Sequence, residues 1–238
     1  MASIKTPRGR FHYKPKFVYL GVKRIDPKIA FENLVLLVNV LNKAGITASP
    51  AYGSLLGIIR ENGFIEWDED IDMFILKEDK DKFLNALWDL KEAGFDLIRE
   101  IRVGHLYSVM RKGEYIDFYV MEPLTPEIRT TLGGGFVFEK YLKDLIDWNF
   151  NGLIIKVPRE YENCLEFMYG DWRTPVQYAN FELSRLSVEK MKVVDMVKKW
   201  IPSRLHLYLL KRYHKKELNK FLLKCYQKGI ELKYPIEY

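Results

Sequence analysis

Cysteine is scarce in this sequence, which limits the kinds of site it can build. Only two cysteines occur among 238 residues, Cys164 and Cys225, and they form no metal-binding pair such as Cys-x-x-Cys. Neither sits beside a plausible catalytic histidine. We therefore interpret both as reduced, buried thiols of a cytosolic protein.

The features of membrane-inserted and exported chains are also missing. No stretch reaches the ~18 apolar residues of a membrane-spanning helix. The N-terminus is basic, with Lys5, Arg8 and Arg10, but the apolar segment of a signal peptide does not follow. We therefore expect a cytoplasmic protein.

The sequence also lacks the motif of phosphate-loop NTPases. A glycine triplet occupies positions 133–135, but the Lys-Ser/Thr pair that a P-loop requires does not follow it. We interpret the triplet as a loop.

The composition supports one well-packed domain with a helical appendage. Hydrophobic residues make up 48% of the chain and aromatic residues 14%, enough for a substantial core. The periodicity predicts helix, strand, short helix, strand, helix and then a meander of strands, which indicates an α+β fold. We predict a catalytic domain over residues 1–184, with a mixed sheet flanked by helices, and a basic helical extension over residues 185–238.

Positive charge is concentrated in that predicted extension. Residues 185–238 contain fourteen Lys/Arg and five Asp/Glu, a balance of +9, so residues 1–184 carry −3 of the total of +6. A basic tail predicts a polyanionic partner such as an anionic membrane, whereas a solvated helix surface would look the same. The segment KKWIPSRLHLYLLKRYHKK suits a helix at a membrane interface and equally one packed on the protein body.

An acidic cluster precedes a predicted buried strand in GSLLGIIRENGFIEWDEDIDMFI (53–75). On a strand, Asp70 and Asp72 project to one face about 6.6 Å apart, and their repulsion favours a bound cation. Asp117, between apolar neighbours in EYIDFYVM, supplies a third carboxylate. Asp68 and Glu69 are interpreted as solvated charges. Three carboxylates on neighbouring strands predict a site for Mg²⁺ or Mn²⁺ that serves phosphoryl or nucleotidyl transfer.

The preceding turn and helix suit phosphate binding. Gly53 lets the backbone approach a phosphate, and Ser54 is predicted to cap a helix whose N-terminus attracts anions. Arg60, further along this helix, could reach a diphosphate. Taken singly, each has an ordinary structural interpretation: a turn, an N-cap and a surface salt bridge.

These spaced motifs resemble the LicD family of the nucleotidyltransferase-fold, or polymerase-β-like, superfamily. That family, which includes phosphocholine transferases and fukutin-related proteins, typically reads G-[TS]-L-L-G-x-x-R, then G-F-I-P-W-D-D-D-I-D, an I-D-[IF] strand and Y-G-D-W-x-T-P. This chain has GSLLGIIR, GFIEWDEDID, YIDF and YGDWRTP, and the resemblance extends over about residues 30 to 180. Glu66 and Glu69 depart from the family's Pro and Asp, but the three aspartates are retained.

The resemblance implies roles for the acidic residues and for the glycine-serine turn. Asp70, Asp72 and Asp117 would ligate the metal, and Asp117 would also help to deprotonate the acceptor hydroxyl. The residues implied to hold or neutralise the donor phosphates are Gly53, Ser54 and Arg60.

The resemblance also implies the reaction. Family members transfer a phosphate-linked group from a CDP-activated donor, such as CDP-choline or CDP-ribitol, to a sugar hydroxyl of a glycan or glycolipid and release CMP. Trp67 or Trp172 would stack on the cytosine or enclose a quaternary ammonium group, although each suits the core as well. Asp171 would contact the donor head group. Trp172 is interpreted as a structural residue that packs on the core.

Two further functions are consistent with the sequence. A nucleotidylyltransferase would use the same fold to transfer the nucleotide from an NTP and release pyrophosphate. A non-enzymatic basic protein would bind nucleic acid or membrane through residues 185–238. Because no nucleic-acid-binding motif is present, we expect no specific nucleic-acid partner and place the tail at the inner face of a membrane.

Overall fold

The chain folds as a mixed α+β structure, which confirms the predicted fold class. The computed structural model describes residues 1–18, 23–101, 105–132, 135–176, 190, 193 and 203–236. The strands are β1 (Ala2–Thr6), β2 (Gly9–Tyr13), β3 (Ala48–Pro50), β4 (Ile71–Leu76), β5 (Asp96–Ile101), β6 (Leu106–Arg111), β7 (Glu114–Thr125), β8 (Ile128–Thr131), β9 (Gly135–Phe138), β10 (Leu145–Phe150) and β11 (Leu153–Pro158). The α-helices are α1 (Pro27–Lys43), α2 (Tyr52–Glu61), α3 (Lys80–Glu92), α4 (Lys140–Lys143), α5 (Tyr161–Tyr169) and α6 (Ser203–Gln227).

The central sheet brings together strands from distant parts of the chain. Its main strand order is β3-β4-β7-β6-β5, and β8 and β9 extend from β7. Strands β4 and β7 are parallel, whereas β5, β6 and β7 form an antiparallel meander and β3 is antiparallel to β4. A parallel pair needs a long crossover, and α3, β5 and β6 fill it.

Helix α1 shows how local sequence sets an element's start and its buried face. Asp26 caps it by accepting hydrogen bonds from the backbone N–H groups of Lys28 and Ile29, both at 3.0 Å, with Pro27 at the first helical position. The fully buried side chains recur at helical spacing: Ala30, Leu34, Leu37 and Leu41. This helix packs on α3 and on β7.

Two hairpins were not predicted from the sequence. Strands β1 and β2 pair near the N-terminus, where Phe11 packs edge-on against Trp88 of α3 with ring centroids 5.0 Å apart. Strand β10 pairs with β11. Of the glycine triplet, Gly135 opens β9, and positions 133 and 134 lie outside the described residues.

The C-terminal helix packs against the body of the protein along one stripe. His214, Leu218, Phe221 and Cys225 are buried at helical spacing. The Phe221 ring lies 5.4 Å from Phe138 of β9. The helix therefore packs on the body from His214 onwards, whereas Leu205 and Leu207, within KKWIPSRLHLYLLKRYHKK, are exposed. The predicted boundary at 184/185 lies among residues that are not described and stays a prediction.

Both cysteines are free and buried, as predicted. Burial raises the pKa of Cys164 to about 12 and that of Cys225 to about 11. Protonated thiols of this kind are poor nucleophiles and poor metal ligands, so their contribution is to packing.

We expect the unfolding stability to fall as the pH drops below about 6.5, in part because of His214. Its Nε2 lies 2.8 Å from Thr130 Oγ1, and its pKa is lowered by burial and then by His105. The unfolded chain therefore binds a proton at a higher pH than the folded chain, and stability rises with pH across that interval. Urea unfolding at pH 5.5 and 7.5 should show a smaller difference for His214→Asn than for the wild type. An equal difference in both proteins would contradict this role of His214.

Candidate active site

Strand register brings the three predicted aspartates together. Asp72 of β4 is the direct neighbour of Asp117 in the parallel pair with β7, and Asp70 lies two positions before Asp72, on the same side of the strand. One carboxylate oxygen from each lies within 4.8 Å of the others. Asp117 is buried, and Asp70 and Asp72 are half-buried. Neighbouring strands thus present three acids to one small volume.

The proximity of these carboxylates is electrostatically unfavourable. The pKa of Asp70 is raised well above its ordinary value by burial, followed by the charges of Asp72 and Asp117. The pKa of Asp72 is likewise raised by burial and then by Asp117 and Asp68, against a hydrogen bond with Tyr119 that lowers it. A cation would relieve this repulsion.

An arginine that the sequence analysis missed faces the same cluster. Arg99 of β5 donates through Nη2 to Asp117 Oδ2 at 2.6 Å and through Nε to Ser108 Oγ at 2.8 Å. Ser108 pairs with Asp117 in the β6–β7 register. In DLIREI, Arg99 stands next to Glu100 and has the look of a surface charge, and only the strand order reveals its position. Asp117 is therefore oriented by a charged donor.

The donor set fits a hard divalent cation. Three carboxylate oxygens within 4.8 Å are the ligand type that Mg²⁺ and Mn²⁺ prefer. When ionised, the three aspartates and Arg99 sum to −2, which one divalent cation balances. The described residues can thus hold a metal ion at Asp70, Asp72 and Asp117.

Asp68 and Glu69 do not behave as the solvated charges that we expected. Glu69 is only 8% exposed, and the pKa of Asp68 is raised by burial, which outweighs a hydrogen bond from the backbone of Glu69. A Cβ atom on Gly53 would lie 2.5 Å from Asp68 Oδ2. The absence of a side chain at Gly53 therefore makes room for the Asp68 carboxylate.

The prediction that Ser54 caps the helix is wrong. Helix α2 begins at Tyr52 after Ala51, without a side-chain cap, so Ser54 lies inside its first turn. The buried Ser54 Oγ instead accepts a hydrogen bond of 2.8 Å from the backbone N–H of Asp72. Ser54 thus ties α2 to the strand that carries the metal-site aspartates, a long-range contact that a local capping rule does not register.

Gly57→Ala and Gly53→Ala should have different effects, although both lie in α2. A Cβ atom at Gly57 would lie 2.9 Å from the carbonyl oxygen of Gly63 and 3.1 Å from the backbone nitrogen of Ile65. Backbone cannot swing aside as a side chain can, so we expect Gly57→Ala to cost about 1–3 kcal/mol of unfolding free energy. Gly53→Ala meets the end of the Asp68 side chain, so we expect a smaller loss of stability but a loss of turnover. Urea unfolding and activity measured on both variants would test this, and equal stability losses would contradict it.

Arg60 joins α2 to the YGDW motif. Its Nη1 donates to the carbonyl oxygen of Trp172 at 3.1 Å, and its Nη2 pairs with Glu61 at 2.5 Å. Its side chain is 10% exposed, so it is not a surface arginine. A contact with donor phosphates, as the resemblance implies, stays a prediction.

The two tryptophans and Asp171 differ in exposure. Trp172 is buried, with the Arg173 guanidinium 4.3 Å from its ring centre, which agrees with a structural role. Trp67 is half-buried against the core. Asp171 is exposed and accepts a hydrogen bond of 2.7 Å from Thr174 Oγ1. Substrate contacts by Trp67 and Asp171 stay predictions.

Comparison with solved structures finds nucleotidyltransferases of low identity. A lincosamide antibiotic adenylyltransferase, LnuA, with lincomycin bound, is 12% identical over 68% of this chain and 93% of that chain, with a TM-score of 0.42. The antibiotic-resistance factor ANT(2'')-Ia is 13% identical over 80% of this chain and 99% of that chain, with a TM-score of 0.44. No curated protein matches the sequence.

A family model agrees with the motif-based resemblance. The model described as LicD/FKTN/FKRP, nucleotidyltransferase domain, matches residues 45–160. This segment includes α2, the three aspartates and Arg99, and it ends before the YGDWRTP motif. The resemblance to the LicD family that the motifs predicted is therefore confirmed over residues 45–160, which match its nucleotidyltransferase domain.

Proposed function

We propose that this chain is a metal-dependent transferase that moves a phosphate-linked group, such as phosphocholine, from a CDP-activated donor to a hydroxyl of a glycan or glycolipid and releases CMP. The observation that carries the proposal is the convergence of Asp70, Asp72 and Asp117 within the segment that matches the LicD family. The acidic site accounts for the metal, and the family accounts for the type of donor.

In this proposal Asp70, Asp72 and Asp117 hold Mg²⁺ or Mn²⁺. When bound, the ion supplies positive charge beside the diphosphate oxygens and the leaving CMP. Arg99 orients Asp117 through Oδ2, so that Asp117 can accept the proton of the acceptor hydroxyl. The acceptor oxygen forms a bond to the phosphorus of the transferred group as the bond to the CMP oxygen breaks, and the product is a phosphodiester.

The first turn of α2 supports binding of the donor phosphates. The N-cap residue of this ten-residue helix is Ala51, whose methyl group cannot accept a hydrogen bond, so the N-terminal N–H groups and the helix dipole favour an anion. Ser54 accepts from the backbone of Asp72 and keeps its own hydroxyl proton to donate. The phosphate-binding residues of the proposal are Gly53, Ser54 and Arg60.

The beginning of α6 supports a peripheral contact with anionic membrane at the cytoplasmic face. Leu205, Leu207 and Tyr208 are exposed on this helix next to cations such as Arg204 and Lys211. None of the helices in the described part of the chain has the length and apolar character needed to cross a bilayer. Apolar side chains interleaved with cations suit binding at an anionic lipid surface. Failure to co-sediment with anionic vesicles at low salt would contradict this contact.

Product analysis tests the proposed reaction directly. The protein is incubated with Mg²⁺ and CDP-choline, CDP-ribitol or CDP-glycerol, with candidate sugar acceptors, and CMP is measured. CMP release that requires the ion and is lost in Asp72→Asn supports the proposal. Asp147→Asn serves as a matched control, because Asp147 is exposed on β10 and pairs with Lys156.

Nucleotidylyl transfer is the second candidate, favoured by the nucleotidyltransferase description of the matching family model. In that case CTP or ATP would be consumed and pyrophosphate would appear in place of CMP. Pyrophosphate release from an NTP, with none of the CDP-linked compounds consumed, would replace the first proposal with this one. Absence of both products would favour a binding protein.

A further inference from the structure

A cavity of about 450 Å³ opens beside the acidic cluster. Tyr119 of β7 lines it and also hydrogen-bonds to Asp72. Tyr169, at the end of α5, lies in the same wall. Tyr119 stands two positions after Asp117 on β7, on the same side of the strand, so the cavity wall adjoins the aspartate cluster.

Aromatic rings dominate the lining of this cavity, and they come from separate elements. Tyr52 begins α2 with a φ of +45°, an uncommon backbone conformation for a side chain of this size that often marks a functional position. Its ring lies 5.3 Å from that of Tyr119. Phe136 of β9 and Phe221 of α6 complete a second wall, with ring centroids 5.5 Å apart. Such walls suit a flat ring.

Helix α6, outside the segment that matches the family, contributes the charged groups of the cavity. Glu217, Lys220 and Lys224 all line it. Lys224 donates to the carbonyl oxygen of Met168 at 3.0 Å in the last turn of α5, which is the usual contact of a lysine with a helix C-terminus. Lys220 pairs with Glu217 at 2.7 Å and its side chain is 60% exposed, so it keeps further N–H donors for a ligand.

Resting on the proposed function, we propose that this cavity binds the nucleoside part of the CDP-linked donor. The base lies between aromatic walls that include Phe221, and Lys220 faces the nucleotide phosphate. Helix α6 is then part of the donor site. The nucleoside is covalently attached to the diphosphate, which the proposal places at Gly53, Ser54 and Arg60 beside the aspartate cluster, so it must lie in an adjoining space.

The chemistry of the lining favours a nucleotide over the acceptor. Aromatic faces stack on any base and contribute about 1–3 kcal/mol per base. Lysines contribute positive charge to phosphate binding, whereas a neutral sugar acceptor gains little from them. An acceptor in this cavity is the competing outcome of the test.

Calorimetric titration with CMP and with cytidine, each in the presence of Mg²⁺, tests the inference. Lys220→Glu should weaken CMP binding about tenfold but change cytidine binding less than about twofold, because only CMP carries the phosphate. Phe221→Leu should weaken both by about tenfold through loss of stacking. Lys28→Glu makes the same charge change at an exposed residue of α1 that does not line the cavity and should leave both affinities unchanged.

The outcomes separate this inference from the proposed function. Metal-dependent CMP binding that is unchanged in Lys220→Glu would overturn the nucleoside assignment and leave the transferase proposal standing. If Lys220→Glu raised only the KM for the acceptor in the CMP-release assay, the nucleoside assignment would also be overturned, and the cavity would be assigned to the acceptor. If the wild type binds neither compound, both proposals fail. If Phe221→Leu does not fold, Lys220→Glu still tests the nucleoside assignment, because the Lys220 side chain is exposed and its replacement should not prevent folding.

Discussion

Replacing Asp72 with asparagine is expected to lower turnover by about a hundredfold to a thousandfold while raising the melting temperature in metal-free buffer. Asp72 lies beside Asp117 and near Asp70, so its carboxylate is destabilising in the absence of a cation. Relief of about 1 kcal/mol of repulsion would raise the melting temperature by about 2–4 °C in a chain of this size. Functional sites often reduce stability in this way.

The metal dependence of the melting temperature provides the second readout for this variant. Saturating Mg²⁺ should stabilise the wild type, by about 2.7 kcal/mol at a hundred times the dissociation constant, and chelation should reverse the effect. Asp72→Asn should lose most of this shift, and the exposed control Asp147→Asn should keep it. Normal turnover in Asp72→Asn, or an unchanged metal-dependent shift, would show that the site lies elsewhere.

Replacing Arg129 with alanine is expected to give the largest loss of stability, about 2–4 kcal/mol. Its side chain is 2% exposed and forms ion pairs with Glu78, at 2.6 Å, and with Glu139. Its Nη1 also donates to the carbonyl oxygen of Met121 at 3.0 Å. Because the Glu78 side chain is 56% exposed, it can rehydrate, which places the estimate below that for a fully buried pair.

Chemical denaturation of Arg129→Ala would measure this loss. Lys156→Ala is the control, since it breaks only the exposed pair with Asp147 and should cost less than about 1 kcal/mol. Equal losses in the two variants would mean that the Arg129 network contributes no more than an ordinary surface pair.

The same network predicts a pH dependence of stability. The hydrogen bond with Arg129 is the main cause that lowers the pKa of Glu78 to about 2. In the unfolded chain this carboxyl takes up a proton near its ordinary pKa of 4.5. The stabilisation is therefore fully present above pH 4.5 and is lost as the pH falls towards 2. Acid titration of Glu78→Gln should show a shallower loss over this interval.

Local sequence rules predicted the elements that carry the aspartates. The apolar run of β4 and the Asp117 strand both have signals within a few residues. The same rules misassigned Ser54, whose partner is the backbone of Asp72 eighteen residues away.

The contribution of Arg99 could not be predicted, because it depends on the order of β5, β6 and β7. A charged residue in a strand looks solvated until the neighbouring strands are known. The aromatic cavity depends on packing between α6 and residues far from it in sequence, which periodicity does not encode.

The parallel pairing of β4 with β7 has a consequence for how the chain folds. Asp72 and Asp117 are neighbours across the two strands, although 45 positions separate them in the sequence. The chain between them must close into a loop, at a cost in entropy, before the three metal ligands come together. An ion with no site in the unfolded ensemble cannot guide the early steps of folding. Magnesium should therefore slow unfolding and leave the refolding rate nearly unchanged, because it binds only after the two strands have paired.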